Sequence, residues 1–233
     1  MPRVLIFSGA GRYADPWHPF EETTAAIADV ARGIGADVTI NHSTPDAFAS
    51  LADVDLVVVN AGGGDPHDRP APEPVWDAAQ AQLAEYLAAG GPLLGTHTAA
   101  AAFPDWPSWR ELFGGAWVRG TSFHPERNYA LFEATPDFVD HPIFAGIEAP
   151  AGLPALAGRP AVLCYDERYS AMVLGEDARP HLVHETGEKL EVCGWVTGDR
   201  IIYDGLGHNA RSYESSSRRR LLANEMTHLL SLS

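Results

Sequence analysis

The strongest constraint on this chain's fold is a repeated alternation, over roughly the first 95 residues, of continuous apolar runs with stretches of helical periodicity. Val4-Leu5-Ile6-Phe7-Ser8 and Asp55-Leu56-Val57-Val58-Val59-Asn60 lack the polar-apolar alternation of a strand with one wet face. Both faces must be covered, as in a parallel sheet between helices. Asp37-Val38-Thr39-Ile40 and Pro92-Leu93-Leu94 supply two further strands. A helix start is legible at His18-Pro19-Phe20-Glu21-Glu22, with proline early and acids in the first turn. Phe20, Ile27, Val30, Ala31 and Ile34 continue it to a stop near Gly35. A second helix runs from about Val75 to Ala89, with Val75, Ala79, Leu83, Tyr86 and Leu87 on one face, and Gly90-Gly91-Pro92 ends it. Strands joined through helices are connected by right-handed crossovers. The expected class is α/β, a flavodoxin-like, doubly wound, mostly parallel sheet with helices on both faces. A chain of 233 residues is long enough for a sizeable core, and we expect one domain over 1–233.

The second half is less regular. A short helix is expected near Trp106 to Phe113, before Gly114-Gly115. Strands are expected at Tyr129-Phe132, Ala161-Cys164 and His181-His184. Val192-Val196 and Arg200-Tyr203, separated by Thr197-Gly198-Asp199, read as a hairpin. Proline and glycine are dense from Pro136 to Pro160, which predicts surface loops, and a last helix spans about Ser217 to Leu232.

A net charge of −15 argues against nucleic acid and anionic membranes as partners. Arg218-Arg219-Arg220 is the largest basic cluster, and it reads as a solvated helix face. No segment approaches the roughly 20 apolar residues of a membrane span. The chain enters its first strand without a leader, so a cytoplasmic location is expected. Cys164 and Cys193 form no disulfide framework and sit in apolar, strand-like surroundings, as small hydrophobes do.

One junction carries chemical information. Pro92-Leu93-Leu94 leads through Gly95-Thr96-His97-Thr98-Ala99 into Ala100-Ala101-Ala102-Phe103. Small residues around one reactive side chain, between a strand and an expected helix, describe an elbow that lifts its central residue above the carboxyl edge of a sheet. Such elbows usually carry Ser or Cys and perform acyl transfer; here the central residue is His97. Imidazole does not sustain a stable acyl intermediate as a thiol does, but it binds metals and moves protons. A helix N-terminus beside it would disfavour imidazolium, which predicts a neutral ring.

Doubly wound sheets bind ligands beyond the carboxyl ends of their strands. His18, Asn60, His97, Asp166-Glu167 and His208 all follow strands, and His124 sits in an irregular loop. We expect His97, Glu167 and His208 to supply acid, base or metal ligation. His18, His124, Asp166, Tyr169, Asn60 and Trp106 are expected to bind substrate. Neutral imidazoles with one carboxylate suit Zn²⁺ or Mn²⁺, with His18, His97, His124 and His208 as candidate ligands, although no HExxH-type spacing is present. Trp17, Trp106, Tyr169 and Tyr213 combine apolar faces with polar neighbours, a mixture that suits sugar rings. His42, His67, His181, His184 and His228 read as surface or satisfied histidines, and His141 as a turn former. There is no GxxxxGK[ST] loop and no full dinucleotide fingerprint, so no nucleotide cofactor is expected.

Taken in order, these landmarks resemble the ThuA-like family, named for trehalose utilisation and related by fold to class I glutamine amidotransferases. The resemblance rests on His18-Pro19-Phe20-Glu21-Glu22-Thr23, Gly90 to Ala99, Phe103-Pro104-Asp105-Trp106, Leu112-Phe113-Gly114-Gly115, His124-Pro125, His141-Pro142-Ile143, Asp166-Glu167-Arg168-Tyr169 and Leu206-Gly207-His208. It departs from the family at Gly91-Pro92, where an apolar residue usually follows the glycine, and in its compact second half. It implies an amidotransferase-like sheet with His97 where those enzymes hold their cysteine, and therefore no glutamine hydrolysis through a thioester. It also implies a role in catabolism of trehalose-related disaccharides through keto-sugar intermediates. A small sugar is the expected partner, a non-catalytic sugar-sensing or partner-binding module is the rival reading, and assembly as a homodimer is left open.

Overall fold

Val4 and Ile6 belong to one buried cluster and Leu5 and Phe7 to another, so the first strand is covered on both faces. The computed structural model describes residues 1–65, 67, 71, 73–152 and 158–232. In chain order its elements are β1 (Arg3–Ser8), α1 (Phe20–Gly33), β2 (Asp37–Asn41), β3 (Leu56–Asn60), α2 (Val75–Ala88), β4 (Leu93–Thr96), α3 (Trp109–Phe113), β5 (Gly115–Ala116), β6 (Asn128–Ala134), β7 (Ala161–Asp166), β8 (Val173–Leu174), β9 (Ala178–Thr186), β10 (Lys189–Thr197), β11 (Ile201–Asp204) and α4 (Ser216–Leu230). Helices α1 and α4 cover one face through Ile27, Ala31, Leu221, Leu222 and Met226. On the other face lie α2 and α3, with Trp76, Ala79, Leu83, Trp109 and Phe113.

The main sheet has the order β2-β1-β3-β4-β11-β10-β9-β6-β7, while β5 and β8 pair separately. Strands β2, β1, β3, β4 and β11 are mutually parallel neighbours. The remaining neighbours pair antiparallel, so β10 and β6 reverse direction while β9 and β7 recover it. Seven of nine strands thus run one way, and the sheet is the mostly parallel α/β arrangement expected. The expected hairpin is β10–β11, and β9–β10 forms a second one around Gly187.

Two local expectations are corrected. No α-helix follows the elbow; a single 3₁₀ turn covers His97–Ala101. The basic triplet is not a solvated face, because Arg218 is fully buried and pairs with Asp204 at 2.7 Å. The expected Pro136–Pro160 loops contain 3₁₀ turns at Pro136–Phe138 and Pro142–Phe144, and residues 153–157 lie outside the described residues.

Five strand spacings of about 4.8 Å separate β4 from β7 in a flat sheet, roughly 24 Å. Yet residues that follow these two strands touch, so the antiparallel half curls back. Register shifts between Val192 and Trp195 mark where β10 bends against β9. The start of α4 closes the curl: Ser215 donates to the Leu163 carbonyl at 2.7 Å, and Ser217 accepts from its amide at 3.3 Å. This also covers part of the exposed edge of β7.

Candidate active site

Gly95 is the only residue type that lets β4 pass under α3 here. A Cβ on it would stand 2.3 Å from the Phe113 ring and 3.0 Å from Ala99. Two residues later His97 adopts φ +45°, a left-handed conformation that disfavours side chains by about 1–2 kcal/mol. Three contacts hold it there. Its Nδ1–H donates to the Gly205 carbonyl at 2.8 Å, and its own carbonyl accepts from the Tyr203 hydroxyl at 2.8 Å. Its ring stacks on Tyr169 at a centroid distance of 4.3 Å.

Three other side chains converge on its Nε2. His18, on the loop after β1, donates Nδ1–H to Asp15 at 2.7 Å and turns its Nε2 to within 3.2 Å of His97 Nε2. Glu167, directly after β7, places Oε2 3.4 Å from His97 Nε2 and Oε1 3.1 Å from His208 Nδ1. His208 follows β11 on a loop fixed by Asp166, which accepts from the amides of Gly207 (2.8 Å) and His208 (3.1 Å) and from the Ser212 hydroxyl. Gly207 reaches this position with φ +122°, and a Cβ there would meet the Tyr213 hydroxyl at 2.5 Å.

This geometry sets the electrostatics. Burial pushes the His97 pKa down most strongly. Its contacts with Glu167, the charge of Asp166 and the Gly205 carbonyl together outweigh that, and the result is raised. The helix N-terminus expected beneath His97 is corrected: the element there is one 3₁₀ turn, and the facing Glu167 carboxylate raises the ring where a helix terminus would lower it. His18 is lowered, by burial first and by the nearby His97 and His208, against the pull of Asp15. For Glu167, burial raises the carboxyl, but the facing His208 and His97 hold it well below the usual carboxylate range.

A cavity of about 900 Å³ opens above the cluster. His18, Glu167, His208 and Tyr169 reach it, and Trp17, Trp106, Trp109 and Trp117 wall it. His124 stands at its rim, 40% exposed and 3.7 Å from Glu167, outside the four-residue cluster. Two residues expected to bind substrate do something else. Asp166 is fully buried, its two oxygens spent on the 207–212 loop. Asn60 donates to the hydroxyls of Thr23 and Thr24 and accepts from Thr96, tying α1 to the sheet below the cavity. Tyr213 faces away, over the Arg218 guanidinium in the core. His184 is a satisfied core histidine, bonded to the Tyr169 carbonyl and the Thr186 hydroxyl, whereas His181, also in the core, bonds the Tyr203 carbonyl through Nε2 and leaves its buried Nδ1 without a partner.

The profile of the ThuA family, described as trehalose utilisation, matches residues 3–228. The chain belongs to the ThuA family. No curated protein matches its sequence. Among solved structures it is similar to a ThuA-like protein from Parabacteroides merdae, with TM-score 0.73 and 16% identity, over 99% of this chain and 91% of that one. A ThuA-like protein from Bacteroides uniformis gives 0.69 and 17%, over 98% and 91%. A glutamine amidotransferase from Thermotoga maritima gives 0.51 and 17%, over 88% and 75%. Likeness at these identities concerns the fold. ThuA membership supports a sugar-related role.

The thiols of this ThuA chain stand apart from the elbow. Cys164 and Cys193 lie buried in the core, and burial pushes both well above the usual thiol range. Thiolate, the reactive form, is therefore suppressed in both. The sequence reading overlooked Asp15, which orients His18, and Trp117, which packs on Tyr169 at 4.3 Å. Asp15 had a signal, a carboxylate three residues before a candidate histidine in a proline-containing loop. Among the described residues, no helix is long and apolar enough to cross a membrane.

Proposed function

We propose that this chain is a cytoplasmic carbohydrate-processing enzyme acting on a keto-disaccharide or related sugar derivative by proton transfer, hydrolytic or isomerising, and not by glutamine amidotransfer. The observation that carries the reading is His97 itself: an imidazole on a strained elbow, joined to His18, Glu167 and His208 beneath an aromatic-walled cavity. Tryptophan faces suit the apolar faces of sugar rings, and the cavity has the size of a small-molecule site. The imidazole and carboxylate groups at its floor exchange protons with a carbonyl or hydroxyl of the substrate, or polarise that oxygen through a bound cation. His124 and Arg127 line the approach, 3.7 and 3.9 Å from Glu167.

The test is incubation of the purified protein with oxidised and unoxidised disaccharides, followed by mass spectrometry of the mixture. Consumption of a keto-sugar supports the reading, whereas ligand that binds and is recovered unchanged makes the protein a sugar-sensing module. Alkylating reagents applied to the native protein are expected to leave turnover intact. Inactivation matching the modification of Cys164 would restore thiol chemistry.

A further inference from the structure

The four side chains at the cavity floor turn ring nitrogens and carboxylate oxygens toward one another. His18 and His97 each give their Nδ1–H to an oxygen, of Asp15 and of Gly205, so in the neutral form both rings turn bare Nε2 atoms inward, 3.2 Å apart. Glu167 adds two acceptor oxygens. Its Oε2 and the Nδ1 of His208 are buried without an aligned hydrogen-bond partner. Acceptors held against acceptors in a buried site repel unless a proton or a metal cation lies between them, and one metal ion serves all four groups at once.

The spacing suits one small cation. Zinc–ligand bonds of about 2.0–2.1 Å in a tetrahedron place neighbouring donors roughly 3.3 Å apart. The Nε2 atoms of His18 and His97 stand 3.2 Å apart, Glu167 offers Oε2 at 3.4 Å from His97 and Oε1 at 3.1 Å from His208, and with one oxygen taken from Glu167 the four donor atoms lie within 4.8 Å of one another. Imidazole-rich donor sets favour zinc and its transition-metal neighbours over magnesium or calcium, which take oxygen ligands. The outer nitrogens of His18 and His97 are anchored by a carboxylate and a carbonyl, the arrangement that fixes ring orientation in metal sites.

We propose that His18, His97, His208 and Glu167 bind one divalent transition-metal ion, zinc fitting best, with Asp15 and the Gly205 carbonyl as its outer supports. His124 remains at the rim and is not a ligand. The proposal deepens the reading of this cluster as the reaction centre and rests on that reading for what the metal meets from the cavity; metal binding itself is measured without any sugar.

Untagged protein is stripped by a chelator, dialysed, and titrated with zinc and with manganese by calorimetry, with elemental analysis of the reloaded sample. One zinc per chain is expected, bound more tightly than manganese, with a raised melting temperature. His18→Ala and His208→Ala are expected to weaken binding at least 100-fold. Asp15→Asn, a positioning change, should weaken it about 10- to 100-fold. His42→Ala, at an exposed histidine, should change nothing. Circular dichroism identifies any variant that fails to fold, and His208→Gln replaces such an alanine. No saturable binding of either metal, or binding unaltered in folded His18 and His208 variants, overturns the proposal. Zinc bound without consumption of any sugar supports the metal site and removes the sugar chemistry. Full turnover by stripped protein keeps the sugar chemistry and removes the metal from the reaction, while calorimetry alone decides the site.

Discussion

His97 keeps φ +45° because neighbouring groups over-determine it, and the hydroxyl of Tyr203 is one of them. Tyr203→Phe removes that bond from a fully buried carbonyl. An expected loss of about 1–3 kcal/mol follows from the unsatisfied acceptor, and urea denaturation measures it. Glu167→Gln keeps the shape and removes the charge that faces His97 and His208. Turnover should fall by about 10²–10⁴-fold, the usual contribution of a positioned acid or base, while circular dichroism stays unchanged. At this scale the sequence showed which residue types stand beyond strand ends, and that sufficed for His18, His97, Glu167 and His208. It placed both Glu167 and Asp166 in the site, the first for acid, base or metal ligation and the second for substrate. The two are adjacent, and only the curl of the sheet decides that one carboxylate enters the site while the other holds the 207–212 loop.

Helix α4 is fixed to β11 by the Arg218–Asp204 pair, both fully buried, and by a bond from Arg218 to the Leu206 carbonyl at 3.2 Å. Arg218→Met leaves Asp204 as an unpaired buried charge, and a destabilisation of about 3–5 kcal/mol is expected in denaturant titration. Adding Asp204→Leu should recover a large part of it, because the cost lies in leaving one buried charge without its partner and not in losing the pair. Nothing in Ser216-Ser217-Arg218-Arg219-Arg220 distinguishes the buried arginine from the exposed ones. That information lies in Asp204, at the end of a strand whose carboxyl end faces α4. By contrast β1, β3, α1 and α2 were legible nearly to the residue, since continuous apolar runs and helical periodicity are local signals. The 3₁₀ turn at the elbow was not, because Ala99 to Ala101 favour a helix that packing under Trp109 and Phe113 does not continue.

Across the whole molecule, the parallel half was readable from pattern, but the curl that brings the end of β7 to the end of β4 depends on a bulge between β9 and β10. No local periodicity encodes that. The same core holds His181 beside Glu225 at 3.8 Å, with Asp204 and His141 near it and the Tyr203 carbonyl bonded to it. Burial lowers the His181 pKa to about 4, so the unfolded chain binds its proton first. Stability should therefore decline as pH falls from about 6.5 towards 4, by roughly 3 kcal/mol from this group. Glu225, raised by burial, acts in the opposite sense and loses its contribution as pH rises above the ordinary carboxylate range. His181→Gln should flatten the acidic limb in urea titrations at stepped pH. The central claim, that the His97 elbow is a reaction centre for sugars, is tested most directly by mass spectrometry of keto-disaccharides incubated with the native chain and with His97→Ala. The native chain is expected to consume one of them and the folded variant at least 100-fold less; equal consumption by both would contradict a reaction centre at His97.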